Sequence, residues 1–219
     1  MKYFAGFLIT IYLITVGIFI GSTNNAKMFN DVKWTDIGTL LVTFLGFCFA
    51  FITYHQWLTN KRKEDSYLAA KRYLTLVYEI EEFLNLMLFN YNYMCPTPGL
   101  SIENTELSIK RIEILLNIQQ TLIQTHQKLY TAHRELAFWN VSLTNKFEAQ
   151  HVLLNKKLHS AEMVSDCLTN HLHIFIKSDM SNMNDVIRHK EIFDDLCKSI
   201  QQITNQRVEM EFKSMFTFP

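Results

Sequence analysis

One spacing in the chain matches a metal-binding pattern: Glu148-Ala149-Gln150-His151, a carboxylate and an imidazole at i and i+3. On a helix these side chains are neighbours, and di-iron bundles use two such pairs plus two further inward glutamates. No second Glu-x-x-His occurs here, so no metal centre is expected and Glu148 is read as solvated surface. His171 and His173, two residues apart, point to different faces of a helix and cannot share an ion. The acidic pairs Glu81-Glu82 and Asp194-Asp195 are read as charged helix surface. Cys48, Cys95, Cys167 and Cys197 form no C-x-x-C pair, and we read them as reduced thiols.

Phosphate-cradling loops need glycines so that backbone amides can approach the anion, and beyond the first 50 residues only Gly99 remains. There is no P-loop, no dinucleotide fingerprint, no G-x-S-x-G elbow and no H-E-x-x-H. The expectation is a non-enzymatic chain without cofactor. Twenty-one basic residues balance twenty-one acidic ones, which gives no general electrostatic attraction to nucleic acid.

What remains is architecture. Tyr3 to Gly21 and Ile37 to Tyr54 carry no charge, and each run is close to the roughly 20 residues that cross a bilayer. The first run is too long for a signal-peptide core, and no small-x-small cleavage site follows it, so an uncleaved anchor is expected. Lys61, Arg62 and Lys63 closely follow the second run, while the connecting loop holds only Lys27 and Lys33. The positive-inside rule then puts the larger domain, and both termini, in the cytoplasm. Trp34 and Trp57 bracket the second span, where indole rings favour the membrane interfaces. Neither span holds an ionisable proton relay. Gly17-Ile18-Phe19-Ile20-Gly21 is a G-x-x-x-G step that lets two helices approach closely, either within the hairpin or between copies of the chain.

Beyond residue 57 glycine and proline nearly vanish, which leaves few turns and predicts long helices. Ala69, Tyr73, Leu76, Ile80, Phe83 and Met87 step by four and three along a first helix, which ends at Cys95-Pro96. A second helix, capped near Asn104, carries Leu115, Ile118, Leu122, Leu129, Ala132 and Leu136. After a break at Asn140-Val141-Ser142, a third presents Phe147, Leu154, Leu158, Ala161, Leu168, Leu172 and Phe175. Ser178 to Asn184 is the next break, and a fourth helix presents Val186, Phe193, Leu196, Ile200, Ile203 and Met210 before the apolar tail Met215-Phe216-Thr217-Phe218. The expected fold is all-α: a two-helix transmembrane hairpin over residues 1–57, spans near 3–21 and 37–54, then an elongated antiparallel four-helix bundle over 58–219.

Trp34-Thr35-Asp36-Ile37-Gly38 entering the second span, His55-Gln56-Trp57 with Lys61-Arg62-Lys63 at its inner end, and the long helical domain behind them resemble the two-pass membrane effectors of bacterial anti-phage defence. The similarity is to those encoded beside a retron reverse transcriptase. The resemblance implies an inner-membrane protein held quiet by that reverse transcriptase with its DNA-RNA product, and membrane damage upon release. Uncharged spans with small residues would then pack into a homo-oligomer among the membrane lipid, whereas the competing class, a tethered adaptor or scaffold, needs only the anchor and a binding surface.

Overall fold

The computed structural model describes residues 34–96, 105–177, 182–208 and 210–218. The chain divides into two compact units, Met1–Thr59 and Asn60–Pro219. Helix α1 (Trp34–Met94) contributes to both; α2 (Thr105–Phe138), β1 (Ser142–Leu143), α3 (Asn145–Lys177), α4 (Met183–Val208), α5 (Phe212–Met215) and β2 (Phe216–Thr217) belong to the second. The protein is all-α apart from the β1–β2 ladder, which the sequence does not announce.

In the first unit, the described part of α1 is predominantly apolar and largely exposed, with Leu40 and Val42 each 69% and Phe49 74% exposed, while Phe44 and Cys48 are partly covered. Among the described residues this is the one helix long and apolar enough to cross a membrane. A helix without a polar face is stable only when something other than water covers it. The expected first span, Tyr3 to Gly21 with Gly17 and Gly21, lies outside the described residues. So does the side chain of Trp34.

The second unit is built on heptad-like seams. Along α1, Ala70, Tyr73, Val77, Ile80, Leu84, Met87, Tyr91 and Met94 are buried in strict alternation of three and four. Phe83, expected in this stripe, lies half-buried at its margin, because two adjacent tracks share the same spacing and the apolar pattern alone does not rank them. In α2, Ile118 is likewise marginal and Gln119 takes the buried place. The α3 stripe from Phe147 to Phe175 is buried as expected, with His151, Ser165 and Thr169 added to it. In α4, Val186, Phe193, Cys197, Ile200 and Ile203 are buried and Leu196 is only partly covered, whereas Met210, expected on this helix, lies beyond its end and is partly buried.

Side-chain pairs fix the directions of the helices. Arg72–Glu135 and Asn90–Arg111 make α1 antiparallel to α2; Gln119–Ser165 and His133–Glu148 do the same for α2 and α3; and Gln150–Gln206 with the stacked pair His171–His189 does so for α3 and α4. The Tyr73–His151 and Tyr91–Thr169 pairs make α1 and α3 parallel. Together the four helices bury one apolar core.

Helix α2 stops where the sequence breaks, and the structure supplies the reason. Asn140 takes φ 55°, a left-handed conformation that asparagine tolerates. Its N–H donates to Ala137 O at 3.1 Å and that of Val141 to Leu136 O at 2.9 Å, closing a Schellman cap with Val141 and Leu136 both buried. The cap turns the chain into β1, where Leu143 pairs with Phe216 and Ser142 with Thr217. The apolar tail thus docks on the helical unit, a choice the sequence leaves open.

Candidate functional site

Two groups of residues have functional potential: those at the polar end of the apolar stretch, and a polar chain inside the helical unit. In the first group, Trp57 is exposed and its ring lies 6.1 Å from that of Tyr54. Lys61 does not stand as a free cation. It bonds Glu64 at 3.1 Å and Asp65 at 3.3 Å, pairs one helical turn apart. The Glu64 hydrogen bond, then that from Asp65, raises its pKa. Within the basic run Lys61-Arg62-Lys63, both carboxylates are thus taken by Lys61, while Arg62 and Lys63 are exposed. Ser66 bonds Arg62 O and Trp139 O, tying the start of this unit to the end of α2.

The second group was hidden by its composition. Both ring nitrogens of His126 face acceptors: Glu162 Oε1 lies 2.7 Å from Nδ1, and Asn155 Oδ1 lies 3.1 Å from Nε2. A ring that donates twice is an imidazolium. Its pKa is raised, chiefly by the Glu162 hydrogen bond and against the pull of burial. Asn155, its oxygen engaged, offers an amide N–H to His151 Nε2 at 2.8 Å. His151 accepts there and so carries its proton on Nδ1, 2.7 Å from the Tyr73 hydroxyl. Burial, followed by the nearby His133, pushes the His151 pKa down to about 3. The two histidines are thus pushed in opposite directions, His126 towards its protonated form and His151 towards its neutral one. His133 stacks on His151 at 4.0 Å and donates to Glu148 at 3.1 Å.

Glu148 and His151, the expected i, i+3 pair, therefore serve different partners. Glu148 is not merely solvated, since it holds His133. Burial raises the Tyr73 hydroxyl to about 12, so it stays neutral. Further along the core, Gln119 donates to Ser165 at 2.8 Å, and the Tyr91 hydroxyl meets Thr169 at 2.9 Å. These bonds run between α1, α2 and α3 and fix which turn faces which.

Arg207 is the anomaly. It is 2% exposed, its guanidinium lies 4.6 Å from the Phe147 ring centroid, and none of its three side-chain nitrogens finds an acceptor. Tyr73 is near enough to feel its charge but makes no well-formed hydrogen bond to it. Burial lowers the Arg207 pKa. Phe216 closes the same region from the tail, edge-on to Tyr73 at 6.2 Å and to Phe147 at 5.8 Å.

Chemically, the polar chain is occupied by its own bonds: His126 has no nitrogen left for a substrate, and His151 gives one to Asn155 and the other to Tyr73. Among the described residues no three His, Cys, Asp or Glu converge as a metal would require. Burial pushes the thiols of Cys95 and Cys197 up to about 12, leaving them protonated and unreactive. Asp194 is held by Lys190 at 2.6 Å and Asp195 by Lys198 at 3.5 Å, whereas Glu81 and Glu82 form no ion pair among the described residues. The signal for the polar chain was legible in principle: His151 falls between Phe147 and Leu154, and Arg207 follows Ile200 at a full heptad, both on core tracks. Compared with known proteins, the chain matches no family model, no curated protein and no solved structure.

Proposed function

We propose that this chain is a non-enzymatic, membrane-anchored helical effector of bacterial anti-phage defence, one that permeabilises the inner membrane when a partner complex releases it. In this reading the segments 3–21 and 37–54 form a two-pass hairpin, residues 58–219 form a cytoplasmic antiparallel four-helix bundle, and both termini face the cytoplasm. The observation that carries it is the apolar length of α1 in the first unit, whose large side chains are mostly exposed among the described residues. Lipid, or other spans assembled in lipid, supplies the missing cover. Gly17 and Gly21 would let the first spans of several copies approach closely. The restraining partner would be a reverse transcriptase with its DNA-RNA product, on the resemblance of the layout alone.

A plain tether, with the helical unit as a scaffold for a cytoplasmic protein, is the second reading. It is favoured by the threonines of the apolar stretch: Thr43 and Thr53 donate to the carbonyls of Thr39 and Phe49 at 2.8 and 2.9 Å, so their hydroxyls are satisfied within the helix rather than offered to a pore.

The test is inducible expression in bacteria, alone and with the genes encoded beside it, while a dye follows membrane potential. The effector reading expects depolarisation only when the protein is expressed alone, and its loss in Gly17→Leu/Gly21→Leu. Unchanged potential in every case overturns that reading and leaves the tether.

A further inference from the structure

The face of α1 turned away from the core carries an unusual surface. Tyr78, Leu86, Phe89 and Tyr93 are 43–52% exposed and fall on the outward side, opposite the seam that runs through Tyr73, Ile80, Met87 and Tyr91. Tyr78, Leu86 and Phe89 line a shallow depression of about 530 Å³ with Glu81, Glu82 and Asn85. From Tyr73 to Met94 there is no lysine or arginine, while Glu79, Glu81 and Glu82 are all present. Some carboxylates elsewhere in the unit are answered by a lysine or arginine: Glu64 and Asp65 by Lys61, Glu135 by Arg72, Asp194 by Lys190. Glu81 and Glu82 have no such cation among the described residues.

We propose that this face is a docking surface for a basic amphipathic helix of a partner protein. The apolar stripe at helical spacing takes the partner's apolar anchors, and the carboxylates take its flanking lysines or arginines. The same charges argue against the other occupants: Glu79, Glu81 and Glu82 would repel an anionic membrane surface or a nucleic acid, and a second copy presenting this face would set Glu82 against its own kind. The structure already shows how the aromatic groups receive a cation. Arg111 of α2 sits 4.5 Å over the Tyr93 ring while donating to Asn90. The inference serves an effector and a tether alike, since each requires a partner on the helical unit, and it stands or falls separately from membrane damage.

The test uses the full chain in phosphatidylcholine nanodiscs and two labelled helical peptides with the same leucine stripe, one flanked by lysines and the other by glutamates. Anisotropy titrations, corrected for binding to empty nanodiscs, are run on the wild type, on Glu81→Lys/Glu82→Lys and on Phe89→Ser. Every substituted residue is exposed or at the surface, and unchanged circular dichroism confirms that the fold is kept. The expected result is binding of the lysine peptide that weakens about 10-fold in each variant and falls with added salt. The glutamate peptide should prefer the charge-reversed chain. Equal binding of both peptides, no binding of either, or undiminished binding to Glu81→Lys/Glu82→Lys overturns the proposal. Sedimentation showing a dimer that Phe89→Ser dissociates would overturn it too, by giving the face to a second copy.

Discussion

Replacing Arg207 by methionine should stabilise the helical unit. The guanidinium is buried with no acceptor for any of its three nitrogens. A single buried donor left unsatisfied costs about 1–3 kcal/mol, and more when it is charged. Against this stands the contact with Phe147, 4.6 Å from the guanidinium carbon to the ring centroid, and such a cation–π contact contributes about 0.5–2 kcal/mol. Methionine keeps the stem's packing and most of the volume while removing the charge. The balance is a gain of about 1–2 kcal/mol, within the range seen when buried ions give way to apolar residues. For a domain of this size that is a rise of about 3–6 °C in Tm, measured by circular dichroism on the detergent-solubilised chain. Arg207→Lys should go the other way, because an ammonium is more strongly hydrated and cannot lie flat on the ring. A clear fall in Tm for Arg207→Met would refute the reasoning: it would mean that the guanidinium is bonded in solution, and that the layer beneath Phe216 is a filled polar site.

Two further results follow from the same region. His151 stays neutral down to about pH 3 when folded but titrates near its ordinary 6.5 when unfolded, so the unfolded chain takes up a proton first as pH falls. Stability should therefore drop by about 2 kcal/mol between pH 6.5 and 5, and His151→Gln should flatten that limb in urea titrations. His126 has the opposite sign: its folded pKa is raised, so its contribution is complete below 6.5 and is lost as pH rises through the folded value, a limb that His126→Gln should remove. Phe216→Ala should cost about 3 kcal/mol and open the C-terminal tail to limited proteolysis while leaving the helix content intact, because Phe216 is 3% exposed and plugs the Tyr73–Phe147 face. Normal resistance to cleavage in that variant would show that the ladder with Leu143, not the ring, holds the tail.

The helices were legible because their signal is redundant. A stripe such as Phe147, Leu154, Leu158, Ala161 and Leu168 repeats often enough that one ambiguous position does not move the element. The long uncharged run from Gly38 was legible for the same reason, since many residues say one thing. Which of two adjacent tracks faces the core was not legible. Phe83 and Leu84 are equally apolar, and only the partner helices decide between them.

The candidate site was harder still, for a physical reason. A polar residue is read as surface because burying it alone is costly, and that inference fails when the cost is met by a partner far along the chain. His126 and Glu162 are 36 residues apart, and Tyr73 and His151 are 78. No local pattern encodes those bonds. Glu148-x-x-His151 shows the converse: a spacing that means something in another bundle divides here between His133 and Tyr73, because position on the core seam, and not the interval between two residues, decides what each side chain meets. A polar residue on a core track is therefore the observation to weigh first in a helical chain of this kind. In this protein that rule selects His151, Gln119, Ser165 and Arg207, three of which find partners and one of which does not.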